Sequence, residues 1–347
     1  MAAKNIYGLT VKNLENYFIG LGENPAKAKI VFKAVYRDKI SDFSQILSLS
    51  KKTTDMLSRD FEIRLPMLAA KTETNDACKY LFRLSDGHTV ESVLMKHSYG
   101  NGVCVSTQVG CNMDCTFCES GKLKKIRNLT SDEITGQVVY IKDVLNTDIS
   151  HVVLMGIGEP LDNYENVIDF IDTVTDPLGI AVAPRHITVS TSGIISKIDE
   201  LSKRSSKNSL AVSLHAPNDE IRSMIMPVNK KYPVAELIGS VKRYIANGGK
   251  KVTFAYVMID QINDSEKCAH DLAKLLDGIN CCVNLIPYNR TSSQNFRKST
   301  KENTAKFFDI LKQHGINVTV RREFGADMQA ACGQLRADYI KNGTAAK

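Results

Sequence analysis

The chain has 347 residues, of which 43% are hydrophobic and 24% charged, and its formal net charge at pH 7 is +7. This ordinary globular composition suits one large domain with additions, and the positive charge suits a polyanionic partner such as RNA without establishing one. The sequence has no run of about 18 apolar residues and no apolar secretory leader, and its nine cysteines are an odd number for a secreted disulfide framework. We therefore expect a cytoplasmic protein with no membrane-spanning helix.

Helical spacing dominates the first 70 residues. Apolar residues recur a few positions apart between Leu9 and Leu21 and again between Ala26 and Tyr36, which predicts amphipathic helices. The exposed side of the second helix is basic and carries Lys27, Lys29, Lys33, Arg37 and Lys39. It is either a plain solvated face or a contact for an RNA backbone, since phosphate binding needs only clustered positive charge.

Between residues 79 and 108 the apolar residues alternate with a period of two. Residues 80–84 and 89–95 are predicted strands, and the turn Ser85-Asp86-Gly87 joins them into a hairpin. A further turn at residues 99–102 leads into a strand that carries Cys104. We assign residues 71–100 to a β-hairpin linker between the helical region and the core.

Three cysteines follow that strand at the spacing C-x3-C-x2-C, namely Cys111, Cys115 and Cys118. A [4Fe–4S] cluster normally takes four thiolates, so three would leave one iron open to a substrate or cofactor. Structural zinc normally needs four ligands, and no second pair follows these cysteines. The spacing therefore favours an open iron–sulfur cluster over the two alternatives, a zinc site and plain structural thiols.

After the cysteines, strand-like and helix-like segments alternate. The predicted strands are residues 151–156, 186–190, 209–214, 251–259, 281–286 and 317–321. The predicted helices are residues 134–145, 166–174, 234–245, 265–276 and 301–314, the first of them preceded by a capping-box pattern at Thr130 and Glu133. This alternation predicts a parallel sheet with helices outside, which suits an incomplete (β/α)6-type barrel.

Glycine or polar residues follow the predicted strands repeatedly. They are Gly158 and Glu159, then Ser190, then Ser213 and His215, and finally Asn289. Any single serine or asparagine of this set would ordinarily be a helix cap or a turn residue. Because ligands bind at the carboxyl ends of barrel strands, the recurrence at successive strand ends predicts a ligand site there. A carboxylate in such a site can accept a hydrogen bond from an ammonium group.

The cysteine motif, with Phe117 before its last cysteine, resembles that of the radical S-adenosylmethionine (SAM) superfamily. The motifs between Glu91 and Leu335 further resemble the RlmN/Cfr family of RNA adenine methyltransferases. The resemblance implies a [4Fe–4S] cluster on the three cysteines and two SAM molecules per turnover. It also implies SAM contacts from the residues matching Gly158, Glu159, Ser190, Ser213, Leu214, His215 and Asn289.

The same resemblance implies an organisation and partners for the chain. An α/β fold, an incomplete (β/α)6-type radical SAM barrel, is expected at residues 101–335. A helical accessory RNA-binding domain at residues 1–70 and the hairpin linker at 71–100 precede the barrel, and a tail at 336–347 follows it. The expected partners are 23S rRNA, tRNA for some members, and an unidentified low-potential electron donor. We expect a monomer.

Two cysteines outside the motif and one glutamate gain roles by this resemblance. Cys332 lies in the string Ala-Ala-Cys-Gly-Gln-Leu, which resembles a family signature and implies that its sulfur is methylated by one SAM. A radical from the second SAM then takes a hydrogen from this methyl group, and the methylene radical adds to adenine. Cys104 resolves the adduct through a disulfide with Cys332, and Glu91 removes the ring proton. Standing alone, such a cysteine is more often a small buried hydrophobe and such a glutamate is more often exposed.

Within the family, the chain resembles the RlmN branch more than the Cfr branch. RlmN enzymes methylate C2 of a 23S rRNA adenosine. Pro160 after Gly-Glu and the stretch at residues 90–95 favour the RlmN branch, whereas Ile157, Gln329 and the string Glu-Ser-Gly at 119–121 depart from the usual pattern. The Cfr branch, which methylates C8 of the same adenosine and confers antibiotic resistance, is the alternative. A non-catalytic RNA- or ribosome-binding protein and a radical SAM enzyme for a small molecule are the other hypotheses.

A basic run lies directly behind the cysteine motif. It consists of Lys122, Lys124, Lys125 and Arg127. Such a run is by default a solvated loop, but beside a site that must hold RNA we interpret it as a phosphate contact.

Overall fold

The structure is a computed structural model that describes residues 3–204, 208–289 and 296–321. The strands are β1 (Lys4–Asn5), β2 (Phe61–Glu62), β3 (Met67–Glu73), β4 (Ala77–Arg83), β5 (Thr89–His97), β6 (Gly100–Cys104), β7 (Gln108–Val109), β8 (Arg127–Asn128), β9 (His151–Leu154), β10 (Ile187–Thr191), β11 (Ser209–Ser213), β12 (Val252–Met258), β13 (Cys281–Pro287) and β14 (Asn317–Val320). The helices are α1 (Val11–Gly20), α2 (Lys27–Tyr36), α3 (Lys51–Asp60), α4 (Glu119–Lys122), α5 (Ser131–Val139), α6 (Tyr164–Thr175), α7 (Ile195–Ser202), α8 (Asp219–Ile225), α9 (Val234–Ala246), α10 (Glu266–Leu275) and α11 (Lys301–Gln313).

One ten-stranded sheet organises the molecule, in the order β14-β13-β12-β11-β10-β9-β6-β5-β4-β3. Neighbours from β6 to β14 pair in parallel, and β3 to β6 pair antiparallel. The predicted parallel barrel sheet is therefore confirmed, and the hairpin strands extend it beyond the strand that carries Cys104. The strand order is linear within the described residues, so the barrel is incomplete.

The two faces of the parallel strands differ in chemistry because side chains alternate along a strand. On the outer face, Val189, Val212, Phe254 and Val283 are fully buried in the main hydrophobic core. Each such side chain contributes about 1.5–3 kcal/mol by leaving water. The intervening residues, such as Ser190 and Ser213, are only half-buried and project from the inner face. The helices thus cover an apolar face, and the other face is left for polar groups.

A second hydrophobic core holds the helices α1 to α3 together. Phe18, Phe32 and Leu57 are fully buried in it, and the Tyr36 hydroxyl donates to the Tyr7 carbonyl oxygen at 2.9 Å. This confirms the amphipathic helices predicted near the N-terminus. The segment is tied to α5, since the Ser131 hydroxyl donates to the Gly8 carbonyl oxygen at 2.7 Å.

Most predicted element boundaries are correct to within a few residues, but one helix is shorter than predicted. The capping box formed by Thr130 and Glu133 is present and starts α5. The helix predicted over residues 134–145 ends at Val139, and a π-helical turn at Tyr140–Val144 follows it. The prediction of no membrane span also holds for the part of the chain that the structure describes, where no helix is long and apolar enough to cross a bilayer.

Candidate functional site

The cysteine loop joins β7 to α4 and is held at its start and in its middle. At its start, Gly110 has φ +82°, and an added Cβ would lie 2.2 Å from the Lys124 carbonyl oxygen, so only glycine fits. Next to it, the Cys111 amide donates to the Leu123 carbonyl oxygen at 2.9 Å. In the middle, the Thr116 amide donates to the Ile225 carbonyl oxygen, the last residue of α8, at 3.0 Å. The loop is therefore positioned by backbone hydrogen bonds to two other segments.

The three cysteines of this loop are shielded from solvent. Cys111 is buried, and Cys115 and Cys118 are half-buried. Burial raises the pKa of Cys111 to about 12 and raises the pKa of Cys115 well above its usual range, and the neighbouring thiols and Glu159 act in the same direction. Thiolates gathered in such a place need a compensating cation, which bound iron supplies.

The donor set suits an iron–sulfur cluster. Each cysteine of a [4Fe–4S] cluster binds its own iron atom, whereas structural zinc takes four ligands on one ion. The three cysteines of this loop therefore fit a cluster with one iron left open.

Glu159 provides a buried carboxylate at the carboxyl end of β9. Its side chain is 3% exposed and accepts hydrogen bonds from the Leu161 amide at 3.0 Å and the Ser192 amide at 2.6 Å. Burial raises the pKa of this carboxyl group, and the backbone donors oppose that shift. Gly158 has φ +112°, and an added Cβ would lie 2.6 Å from Gln108 Cβ. This close backbone approach explains why glycine is required at position 158.

The side chain of His215, two residues after β11, connects this segment to the neighbouring strand β12. His215 is 4% exposed with φ +57°, and its Nδ1 accepts a hydrogen bond from the Val257 amide at 2.9 Å. Its ring meets that of Phe117 edge-on, with the centroids 4.8 Å apart. Burial lowers the pKa of His215 to about 3, so the imidazole is neutral at physiological pH. The aromatic residue of the cysteine loop therefore packs directly on a residue predicted to contact SAM.

The remaining residues predicted to contact SAM occupy the same edge of the sheet. Ser190 and Ser213 are half-buried on the inner face, Leu214 is fully buried, and Asn289 is exposed beyond the end of β13. At this edge the buried Ser192 side chain lies beside the Glu159 carboxylate, and Tyr288 Oη is buried without a hydrogen-bond partner within the described residues.

Glu91 and Cys104 project from one face of neighbouring strands. Cys104 lies opposite Val93, and Glu91 is two residues before Val93, so the two are diagonal neighbours with side chains on the same face. Glu91 is 3% exposed and Cys104 is 7% exposed. Lys79, which is 4% exposed, lies opposite Val93 on β4 and therefore shares this face. Cys332, the other predicted reactive cysteine, lies outside the described residues.

Three polar residues at the site were missed by sequence reasoning. Arg222 is fully buried, and its guanidinium donates to the carbonyl oxygens of Ser192 at 2.6 Å, Ser213 at 3.2 Å and Leu214 at 3.2 Å. Gln137 on α5 accepts from the Ser92 hydroxyl at 2.7 Å and from the Ser106 amide at 2.9 Å. Lys79 is the third. A polar residue inside an otherwise apolar stretch was the only sequence signal for Gln137 and Lys79, and Arg222 gave no signal because α8 is rich in polar residues.

The basic residues that follow the cysteine motif form ion pairs with carboxylates of the protein itself. Lys122 pairs with Glu119 at 3.0 Å, Lys124 with Asp114 at 2.7 Å and Lys125 with Asp162 at 2.7 Å. Arg127 bonds both Asp86 and Glu133 at 2.6 Å. These ion pairs favour a role in holding the cysteine loop and its neighbours over the phosphate contact that we expected from the sequence.

Two protein-family models match separate parts of the chain. Residues 105–273 match the model of the radical SAM superfamily, and residues 4–63 match the model of the ribosomal RNA large subunit methyltransferase N-terminal domain. The first matches the segment that contains the cysteine loop and most parallel strands. The second matches the helical segment with its separate core.

Individual relatives match over nearly the whole length. The chain is 43% identical to a probable dual-specificity RNA methyltransferase RlmN of Enterococcus faecalis, over 98% of both chains. It is 44% identical to a protein of the same name from Spiroplasma citri, over 96% of this chain and 97% of that one. Among solved structures, a radical SAM methyltransferase from Sphaerobacter thermophilus matches with a TM-score of 0.88 and 38% identity, over 95% of this chain and 98% of that one.

Proposed function

The chain belongs to the RlmN family of radical SAM RNA methyltransferases, which use a [4Fe–4S] cluster and SAM, and we propose that it methylates C2 of an adenosine in 23S rRNA and in tRNA. The observation that carries this proposal is the identity of 43% over 98% of both chains to a relative named for dual specificity toward RNA. The match to the N-terminal domain of ribosomal RNA large subunit methyltransferases supports the ribosomal substrate.

We assign the cofactors to the carboxyl edge of the sheet. Cys111, Cys115 and Cys118 hold the cluster, and the Glu159 carboxylate accepts the hydrogen bonds of the SAM ammonium group. The further SAM contacts are Gly158, Ser190, Ser213, Leu214, His215 and Asn289. The buried carboxylate and the close backbone approach at Gly158 support this assignment.

The cofactors together supply a 5'-deoxyadenosyl radical, and the cysteines of the chain convert it into a methyl transfer. The Cys332 sulfur first receives a methyl group from one SAM. A hydrogen atom is then removed from this methyl group, and the resulting methylene carbon bonds to C2 of adenine. This route is needed because an adenine C2 carbon is no nucleophile and cannot attack the SAM methyl group directly.

Glu91 and Cys104 complete the reaction. The Glu91 carboxylate takes the C2 proton, and the Cys104 thiolate attacks the Cys332 sulfur to form a disulfide. As the C2 proton leaves, the adduct radical gives its unpaired electron to a one-electron carrier. When the carbon–sulfur bond then breaks, the methylene carbon keeps the electron pair of that bond and takes up a proton. A thiol reductant then restores both cysteines. The shared face of Glu91 and Cys104 on β5 and β6 and their burial support these roles.

We propose that residues 1–70 hold RNA, with residues 71–100 linking them to the barrel at 101–335. On α2 and just beyond its end, Lys29, Lys33 and Arg37 recur every four residues and are exposed, so they form one basic stripe. Within the described residues none of the three is paired with a carboxylate, whereas Lys27 pairs with Glu23. Such a stripe can neutralise phosphates, and the target adenine must leave its stack to reach the buried cysteines.

The test is mass spectrometry of adenosines in 23S rRNA and tRNA from cells that lack the protein. Loss of 2-methyladenosine and its return with the intact chain, but not with Cys332→Ala, is the expected result. The appearance of 8-methyladenosine would indicate C8 chemistry instead, and no change in either RNA would contradict the proposal. A purified protein that releases no 5'-deoxyadenosine on anaerobic reduction with SAM would indicate a non-catalytic RNA-binding role.

A further inference from the structure

A depression of about 330 Å³ lies beside the cysteine loop, on the surface of the protein. One wall is formed by Asn112, Met113 and Asp114, the three residues between Cys111 and Cys115. The opposite wall is formed by the segment after α8, including Val228, Lys231 and Tyr232. The depression thus lies against the loop that carries the cysteines.

The depression has an apolar floor. Met113, Pro227, Val228 and Tyr232 line it and are only half-buried. Met224, three residues before Pro227 in the chain, is 54% exposed. Apolar and aromatic side chains surrounded by charged ones are typical of a protein-binding surface.

The rim carries an excess of positive charge. The two carboxylates that line the depression, Asp114 and Asp162, are neutralised by Lys124 and Lys125, each at 2.7 Å. The adjacent Lys230 and Lys231 are exposed, and within the described residues neither is paired with a carboxylate. The Lys231 ammonium lies 5.3 Å from the centroid of the Tyr232 ring. An acidic surface would complement this rim.

We propose that this depression is the docking site for an acidic electron-transfer protein that reduces the cluster, an inference that rests on the proposed function. The donor loses one electron and the cluster gains one, and no atom is transferred. Electron-transfer partners typically use small, transient interfaces guided by charge, which suits this surface. RNA is the less favoured occupant, because Glu91 and Cys104, which act on RNA in our proposal, do not line the depression.

Charge reversal at the rim tests the proposal, with a matched pair of lysines as the control. The test variant is Lys230→Glu with Lys231→Glu. The control is Lys250→Glu with Lys251→Glu, two adjacent exposed lysines before β12 at the opposite edge of the sheet. The probe is an acidic plant-type [2Fe–2S] ferredoxin, whose binding to the cluster-loaded protein is measured by calorimetry at low and high salt. The rate of cluster reduction by ferredoxin and by dithionite is followed by absorbance.

The rim variant should lose about tenfold or more in ferredoxin affinity and reduction rate at low salt, and the loss should shrink at high salt. The control variant should match the wild-type chain, and dithionite should reduce all three proteins equally. Unchanged ferredoxin binding in the rim variant would overturn the proposal. So would a selective loss of RNA affinity in that variant, which would make the surface an RNA contact. Absence of 5'-deoxyadenosine from the wild-type chain with dithionite would instead contradict the proposed function.

Discussion

The two ends of the parallel sheet use their polar residues differently. At the carboxyl edge, Glu159, His215 and Arg222 are buried and bonded to backbone groups of neighbouring strands or loops. At the amino edge, the rings of His151 and His186 stack with centroids 4.6 Å apart, and Tyr99, which is 69% exposed, meets His151 edge-on at 5.5 Å. These rings contact each other at the surface.

This difference supports the proposed site at the carboxyl edge on physical grounds. Burying a carboxylate, an imidazole or a guanidinium costs several kcal/mol unless hydrogen bonds compensate for lost water. The carboxyl edge buries three such groups, Glu159, His215 and Arg222, whereas the aromatic rings described at the amino edge lie at the surface. A fold that stabilises so many buried polar groups in one place fits a prebuilt binding site.

Removal of Arg222 should have the largest effect. Arg222→Met removes the donor to four backbone carbonyl oxygens, those of Ser192, Ser213, Leu214 and Tyr232, so the free energy of unfolding should fall by about 3–5 kcal/mol. The exposed Arg185 at the amino edge is the matched control, and Arg185→Met should change stability by less than about 0.5 kcal/mol. Urea unfolding of both variants measures the difference. Equal losses would show that the buried guanidinium is no more important than a surface one.

A methyl group at Gly158 should come next. Gly158→Ala places a Cβ 2.6 Å from Gln108 at a φ of +112°, which should cost about 1–3 kcal/mol of stability and lower SAM affinity. Gly278→Ala is the control, since Gly278 also has a positive φ, +70°, but faces open space. Isothermal calorimetry with SAM should separate the two, with only the first losing affinity. A comparable loss in the control would assign the effect to backbone strain alone.

The pH dependence of stability should reveal His215. Its pKa is about 3 in the folded chain, below the ordinary value of 6.5, so protonation favours the unfolded state. The contribution of the neutral His215 side chain to the free energy of unfolding is complete above pH 6.5. It is lost as pH falls toward 3, by about 1.4 kcal/mol per pH unit, or roughly 2 kcal/mol between pH 6.5 and 5. His215→Asn keeps an acceptor and tolerates the positive φ, and urea midpoints should fall less for this variant over that range. Parallel midpoints would contradict a buried neutral imidazole.

The smallest effect should be at the amino edge. Tyr99→Ala removes an exposed ring from contact with His97 and His151, so stability should change by less than about 1 kcal/mol. SAM affinity, measured as above, should stay at the wild-type value. A fall in SAM affinity would break the contrast between the two edges.

The sequence predicted what depends on local pattern. The period of apolar residues located the parallel strands, the Thr130 capping box located the start of α5, and the three-cysteine spacing located the loop at the sheet edge. These signals lie within a few residues of each other, so no tertiary information was needed.

The sequence did not predict what depends on distant contacts. Arg222 has the pattern of a surface helix residue, and only the packing of α8 over β10 and β11 places its guanidinium against their carbonyl groups. Lys124 and Lys125 are equally basic in any conformation, and only the fold sets them beside Asp114 and Asp162. Burial and pairing of charged residues are properties of the assembled structure.

The most direct test of the account is a reaction of the cluster-loaded protein with a 23S rRNA fragment and SAM that carries a fully deuterated methyl group. Nucleoside mass spectrometry should find 2-methyladenosine with two deuterium atoms in its methyl group, because one is removed from the Cys332 methyl and a proton replaces it. The third deuterium should appear in 5'-deoxyadenosine. A product that keeps all three deuterium atoms, or RNA that gains no methyl group, would contradict the account.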